Sequence, residues 1–201
     1  MKYSDKIICV SNGISKLASD IWNVKDEKIN TIYNPIEIPH ITHLKGELCR
    51  DYIHIGMVGR LHYQKNYEEI IKATLLVNKL YNINVRVSIV GQGDKIGELQ
   101  ELANKLGVAE SINFLGFKSK PFERLKNVDV FCLTSKNEGF GNVLVEAMSL
   151  GIPLISSDCD FGPREILNNG EFGLLYPVNN VLRLASAIAS LHDKKHMNII
   201  H

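Results

Sequence analysis

Two glutamates, Glu138 and Glu146, bracket the turn Gly139-Phe140-Gly141 within the stretch Ser135 to Ser157. Val128 to Thr134 (VDVFCLT) has the length and apolar character of a strand, and Gly141 to Leu150 carries apolar residues at helical spacing. Glu138 is therefore expected in a strand-to-helix loop and Glu146 inside the helix that follows. Glycines on both sides of Phe140 let the chain turn tightly and bring backbone N–H groups close to a ligand. Those N–H groups, from Phe140 through Asn142 and Val143, together with the positive end of the helix dipole favour an anion. A cradle bordered by two carboxylates suits a molecule with phosphates in its middle and hydroxyls at both ends, a diphosphate attached to a sugar. The spacing of eight is weak by itself, because short motifs recur by chance. The blander reading has Glu138 capping the helix and Glu146 solvated.

Cations are expected at the same end of the fold. Gly59-Arg60-Leu61-His62-Tyr63-Gln64-Lys65 follows an apolar strand-like run and supplies one fixed and one flexible positive charge. An arginine fork and a lysine point charge both suit phosphate oxygens. Gly91 and Gly93 in GQGD resemble a dinucleotide fingerprint, but Ile96 stands where the third glycine is required, so dinucleotide binding is disfavoured and a plain strand-to-helix turn is expected. Asp158 and Asp160, one residue apart, have the spacing to hold Mg²⁺ or Mn²⁺ against a diphosphate. With Arg60 and Lys65 already present, helix initiation is the expected use of that pair, and no metal is expected.

From Tyr52 onward, strand and helix patterns alternate. Strands are predicted at Ile53–Val58, Val85–Val90, Ile112–Leu115, Val128–Leu133, Pro153–Ser156 and Gly173–Tyr176. Helices are predicted at Tyr67–Tyr81, Lys95–Leu106, Pro121–Lys126, Asn142–Leu150, Pro163–Leu167 and Asn179–His192. Strands rich in Ile and Val with helices between them imply a parallel sheet covered on both faces, an α/β, Rossmann-like doubly wound arrangement. Ligands of such sheets bind at the carboxyl ends of the strands, where the polar and glycine motifs fall. The first residues break this rhythm. Lys6 to Val10 reads as a strand, Ile14 to Trp22 as a helix and Asn30 to Pro39 as extended. Residues 1–45 are read as the remnant of a preceding domain and a hinge, with Met1 not a natural start, and residues 46–201 as a nucleotide-sugar-binding domain. The competing reading adds the first strand and helix to the same sheet.

Composition narrows the classes. The chain has 201 residues, 45% hydrophobic and 22% charged, as for a soluble globular domain with a substantial core. A net charge of +1 gives no broad attraction for nucleic acid, and the cluster Lys118, Lys120, Arg124, Lys126 reads as a solvated face. Cys9, Cys49, Cys132 and Cys159 have no metal or redox spacing, which fits a reducing cytoplasm. His40 and His43 lack a third ligand in view. No apolar run reaches membrane-spanning length, and the first residues do not read as a signal peptide.

Taken in order, GRLHYQKN, GQGD, INFLGF, EGFGNVLVEAMSLGIPLISSD and FGPREIL resemble the C-terminal half of retaining GT-B glycosyltransferases of family four, of the bacterial type that extends lipid-linked O-antigen or capsule units. The resemblance covers about Ile53 to Leu191. It implies that Arg60 and Lys65, next to Gly59, meet the diphosphate of a UDP-sugar as it leaves, and that Glu138 holds hydroxyls of the transferred sugar. It further implies that Gly139, Phe140, Gly141, Asn142 and Val143 offer backbone to sugar and phosphate, that Glu146 binds the ribose, and that Gly116 to Lys118 receives the base. No cofactor or metal is implied. The acceptor, a lipid-linked saccharide, belongs to the family's N-terminal domain, which is absent here, and the closing helix looks cut short near His201. The fragment is therefore expected to bind donor and transfer little alone, and the full-length protein to work at the cytoplasmic face of the membrane. Two rivals remain: a metal-dependent GT-A transferase using Asp158 and Asp160, whose donor binding EDTA abolishes, and a non-catalytic sugar-nucleotide sensor, which tolerates loss of Glu138.

Overall fold

The computed structural model describes residues 4–38 and 51–196. His40, His43, Cys49 and the expected boundary at 45/46 lie outside the described residues. In the N-terminal arm, residues 4–38, β1 (Ile7–Cys9) leads through α1 (Asn12–Asp20) to β2 (Ile29–Thr31). The two strands pair in parallel, Ile7 with Ile29 and Cys9 with Thr31, and form a sheet of their own. The competing expectation, that this strand joins the main sheet, is not met.

The main sheet is built from strands rich in Ile and Val. Its strands are β3 (Tyr52–Val58), β4 (Asn84–Val90), β5 (Ile112–Phe114), β6 (Val130–Leu133), β7 (Leu154–Ser157) and β8 (Leu174–Tyr176). All neighbours are parallel, in the order β5-β4-β3-β6-β7-β8. The helices are α2 (Tyr67–Tyr81), α3 (Ile96–Lys105), α4 (Asn142–Ser149), the single turn α5 (Pro163–Ile166) and α6 (Val181–His196). On one face, Ile53, Ile55 and Met57 pack with Ile70, Val77, Leu184 and Ile188 from α2 and α6. On the other, Phe131 and Leu133 pack with Leu144 and Ala147 of α4. Both faces are thus buried, as a parallel sheet requires.

The segment Pro121–Lys126, expected as a helix, is a 3₁₀ turn over Pro121–Arg124. Phe122 within the turn and Leu125 just after it are buried, three positions apart as the 3₁₀ period brings them to one side. The strand order matters most for function. From β3 the chain moves outward through β4 and β5, then returns to β6 and moves outward the other way. The crevice between the carboxyl ends of β3 and β6 is the topological switch point, where open α/β sheets hold their ligands.

Candidate functional site

Two loops flank that crevice, and backbone pairing locks them together. The β3–α2 loop runs from Gly59 to Asn66 and the β6–α4 loop from Thr134 to Gly141. Thr134 Oγ1 donates to the Lys65 carbonyl at 2.7 Å, the Lys136 N–H to the Gln64 carbonyl at 2.8 Å, and Gln64 Nε2 to the Asn137 carbonyl at 2.9 Å. Within this frame Lys65 Nζ meets Glu138 Oε1 at 2.6 Å, and Ser135 Oγ donates to the same oxygen at 2.6 Å. The two side chains are 20% and 10% exposed, so the pair is largely withdrawn from water. Glu138 is therefore an acceptor fixed by two donors, not a helix cap.

The cap of α4 is Gly141, at φ 103°, which has no side chain to bond the first N–H groups of the helix. Asn142 and Val143 thus open the helix with donors that no side chain among the described residues is seen to cover, the condition for anion binding. Gly139 and Phe140 lie between Glu138 and this helix start. Glu146 is half-buried inside α4, and burial pushes its carboxyl above the usual carboxylate range. The blander expectation of a solvated Glu146 is not met.

Arg60 is exposed beside Gly59 and makes no ion pair among the described residues. Gly59 itself is braced by the GQGD turn. Its N–H donates to the Val90 carbonyl at 3.0 Å, and a Cβ on Gly91 would come within 1.9 Å of the Gly59 oxygen. The second glycine repeats this against Leu61, 2.3 Å from a Cβ on Gly93. These glycines do more than shape a turn. They let one loop lie flush against the other, which a spacing argument could not reveal. Gly116 lends its carbonyl to the Gly91 N–H at 2.9 Å, while Lys118 is exposed.

Asp158 pairs with Arg164, and Asp160 lies in a bridge with Asn137. Helix initiation, the expected use of the pair, is incorrect. Gly162 caps α5 and Pro163 occupies its first turn. No group of three or more His, Cys, Asp or Glu among the described residues is placed to hold a metal ion, and no helix of the described residues is long and apolar enough to cross a membrane.

Sequence reasoning missed two participants. The arm reaches the site directly: Ser11 Oγ donates to the Gly139 carbonyl at 2.9 Å, Asn34 Nδ2 to Asn142 Oδ1 at 3.0 Å, and the Tyr33 ring lies 5.3 Å from that of Phe140. No local pattern signals these contacts, since they join segments over a hundred positions apart. The other is Glu69, which is 2% exposed near the start of α2, with Oε1 making no full hydrogen bond among the described residues. Asn66 Nδ2, one residue after Lys65, donates to Glu69 Oε2 at 2.9 Å, and Tyr176 Oη approaches that oxygen at 3.3 Å. The buried acid thus anchors the end of the Lys65 loop.

Burial pushes the Glu69 carboxyl up to about 7 from its ordinary 4.5, against smaller opposing contributions from Tyr176 and backbone N–H groups. A raised acid has a definite sign. Below 4.5 folded and unfolded chains are both protonated. Between 4.5 and about 7 only the unfolded chain ionises, so stability falls with rising pH. Above 7 the full cost stands, about 3 kcal/mol at 1.36 kcal/mol per unit. Glu69→Gln is expected to gain stability over the parent at pH 8 and to lose that advantage as pH falls toward 4.5. Urea unfolding of both chains across this range checks it, and a gap that does not change with pH would exclude titration of Glu69.

Residues 45–199 match the family described as Glycosyl transferases group 1. Among curated relatives, an uncharacterised glycosyltransferase of Methanocaldococcus jannaschii is 33% identical over 83% of this chain and 43% of its own length. The lipopolysaccharide 1,6-galactosyltransferase of Salmonella typhimurium is 31% identical over 87% of this chain and 48% of its own. Among solved structures, the apo form of the lipopolysaccharide outer core galactosyltransferase WaaB superposes with a TM-score of 0.80 at 28% identity, covering 98% of this chain and 58% of that one. Anabaena HepE, solved in complex with UDP and glucose, superposes with a TM-score of 0.83 at 23% identity, covering 97% and 55%. The chain spans about half the length of the curated relatives it matches.

Proposed function

The chain belongs to the glycosyl transferases group 1 family, its six-stranded domain being the C-terminal half of the GT-B fold, and on that premise we propose that it binds the nucleotide-sugar donor of a retaining sugar transferase. The observation that carries this reading is the Lys65–Glu138 pair, held at 2.6 Å across the switch point beside a helix start with uncovered N–H groups. Membership of this family displaces the GT-A rival, and Asp158 is already engaged by Arg164. In the proposed complex the diphosphate lies between Arg60, Lys65 and the α4 N-terminus, Glu138 takes hydroxyls of the transferred sugar, and Glu146 takes the ribose. As the bond from the anomeric carbon to the phosphate oxygen breaks, charge grows on the departing diphosphate, and fixed cations and N–H donors stabilise it. Gly116 to Lys118 is assigned to the base.

The donor is a UDP-linked hexose or N-acetylhexosamine, and the acceptor a lipid-linked saccharide of bacterial surface polysaccharide such as O-antigen or capsule. A lipopolysaccharide galactosyltransferase and an N-acetylgalactosaminyltransferase acting on an undecaprenol-linked saccharide among the relatives support this choice. The acceptor site lies outside the six-stranded domain, so the chain alone binds donor and turns over little, and the complete protein works at the cytoplasmic face of the membrane without a metal cofactor. Calorimetric titration with UDP, GDP and ADP, in EDTA, tests the reading. UDP is expected to bind in preference, and Glu146→Ala and Arg60→Ala each to weaken it about tenfold, the loss expected for a charged hydrogen bond. Binding that requires a divalent cation, or that ignores both substitutions, would sink it. A non-catalytic sensor would bind alike, but in the complete protein it would lose no function with Glu138→Ala.

A further inference from the structure

Glu165 stands on α5 and takes no part in the site described above. Its carboxylate accepts the Asn12 backbone N–H at 3.1 Å through Oε2, Asn12 Nδ2 at 2.7 Å through Oε1, and the Tyr33 hydroxyl. Asn12 Nδ2 also reaches Tyr33 Oη at 2.9 Å, so three groups from the start of α1, the segment after β2 and α5 close on one another. The bond to Glu165 is the main reason the Tyr33 hydroxyl is pushed above its ordinary range, which keeps it a donor. Asn12 is the first residue of α1, so the acid also meets the positive end of that helix.

The same pieces bear on the loop that opens α4. Ser11, Tyr33 and Asn34 touch Gly139, Phe140 and Asn142 respectively. Between them lies the turn before α5. Phe161 sits at φ 64°, a costly conformation for a bulky residue, and it fills the space a Cβ on Gly13 would need, 2.6 Å from its Cδ1. Gly162 packs on the other side against the Phe140 carbonyl. The turn is therefore wedged between the arm and the donor loop, in contact with both.

We infer that Glu165 is a positioning residue: it latches the arm over Gly139–Asn142, so that docking of the arm and ordering of the donor loop are one equilibrium. The inference rests on reading that loop as the donor site. Linkage then requires reciprocity. Whatever factor the docked arm adds to nucleotide affinity, bound nucleotide adds to arm docking.

The test uses Glu165→Ala, Glu165→Gln and Tyr33→Phe, with UDP as the probe and backbone amide exchange read at residues 12–15 and 139–143. Alanine is expected to weaken UDP about tenfold, within the usual range of coupling between sites, and to speed exchange in both segments together while β3 and β4 stay protected. UDP is expected to slow exchange at 12–15 in the parent chain and to do so less in the alanine and phenylalanine variants. Glutamine keeps an acceptor for the Asn12 N–H and is expected to restore part of both effects. Faster exchange confined to 12–15 with parental UDP affinity overturns the inference, because Glu165 then only caps α1. If the parent chain binds no UDP, the donor-site reading fails separately. The latch is still decided by whether exchange at 139–143 rises with that at 12–15.

Discussion

Replacing Lys65 by alanine is expected to destabilise the domain by about 3 kcal/mol and to weaken UDP binding at once, whereas Lys65→Ala with Glu138→Ala is expected to regain most of the stability and none of the binding. The Glu138 side chain is 10% exposed and takes its ionic partner from Lys65. Removing only the lysine leaves a carboxylate in a withdrawn site with Ser135 Oγ as its remaining side-chain donor among the described residues, and breaking a buried pair from one side costs about 3–5 kcal/mol. Residual exposure and the serine bond put this site at the lower end. Taking away both charges removes the desolvation problem and leaves a small cavity, so the two substitutions are far from additive. Under the proposed donor-site reading binding behaves otherwise, since the diphosphate meets the cation whatever Glu138 does. Urea unfolding and calorimetry on the two single variants and the double variant give the whole cycle. Additive stabilities would mean that the pair contributes little, and unchanged UDP affinity in Lys65→Ala would remove Lys65 from the site.

Gly162→Ala is expected to have an effect of similar size by a wholly different route. Gly162 holds φ 88° and ψ −70°, and a Cβ there would fall 1.7 Å from the Phe140 carbonyl oxygen. The obstacle is backbone on both sides, so relief requires one loop to move. Backbone strain of about 1–3 kcal/mol adds to an overpacking cost of about 1–3 kcal/mol. The loop that yields is the one carrying Phe140, which couples the cost to loss of UDP binding. Gly151 is the control, with φ 69° and nothing within 4 Å of its Cβ position. Alanine there is expected to cost only the left-handed penalty of about 1–2 kcal/mol, with UDP affinity intact. Equal effects at the two glycines would show that conformation alone matters and that contact with Phe140 does not.

Much of the architecture was legible because its signals are local. The Ile and Val content of β3 and β4, bounded by helical patterns on either side, indicates strands of a parallel α/β sheet, and the helical spacing in Tyr67–Tyr81 matches α2 residue for residue. The 3₁₀ turn at Pro121–Arg124 escaped because three-residue and four-residue spacing look alike over so short a span. Asp158 and Asp160 misled for a different reason. Acidic residues before a helix commonly cap it, but Gly162 and Pro163 lie nearer the helix and take that position. Glu69 was overlooked because a second glutamate at the start of a helix reads as solvated, and only packing against Tyr176 and Asn66 removes it from water.

By itself the sequence determined the class of fold, the loops that carry charge, and the glycine turns between strand and helix, because side-chain period and glycine placement act over a few residues. Strand order was decided only by the tertiary structure. Lys65 and Glu138 stand 73 positions apart, and nothing in either loop states that β3 and β6 are neighbours. That adjacency arises from the packing of helices on two faces of one sheet, a nonlocal outcome that also set the burial of Glu69 and the seating of the arm on Gly139–Asn142.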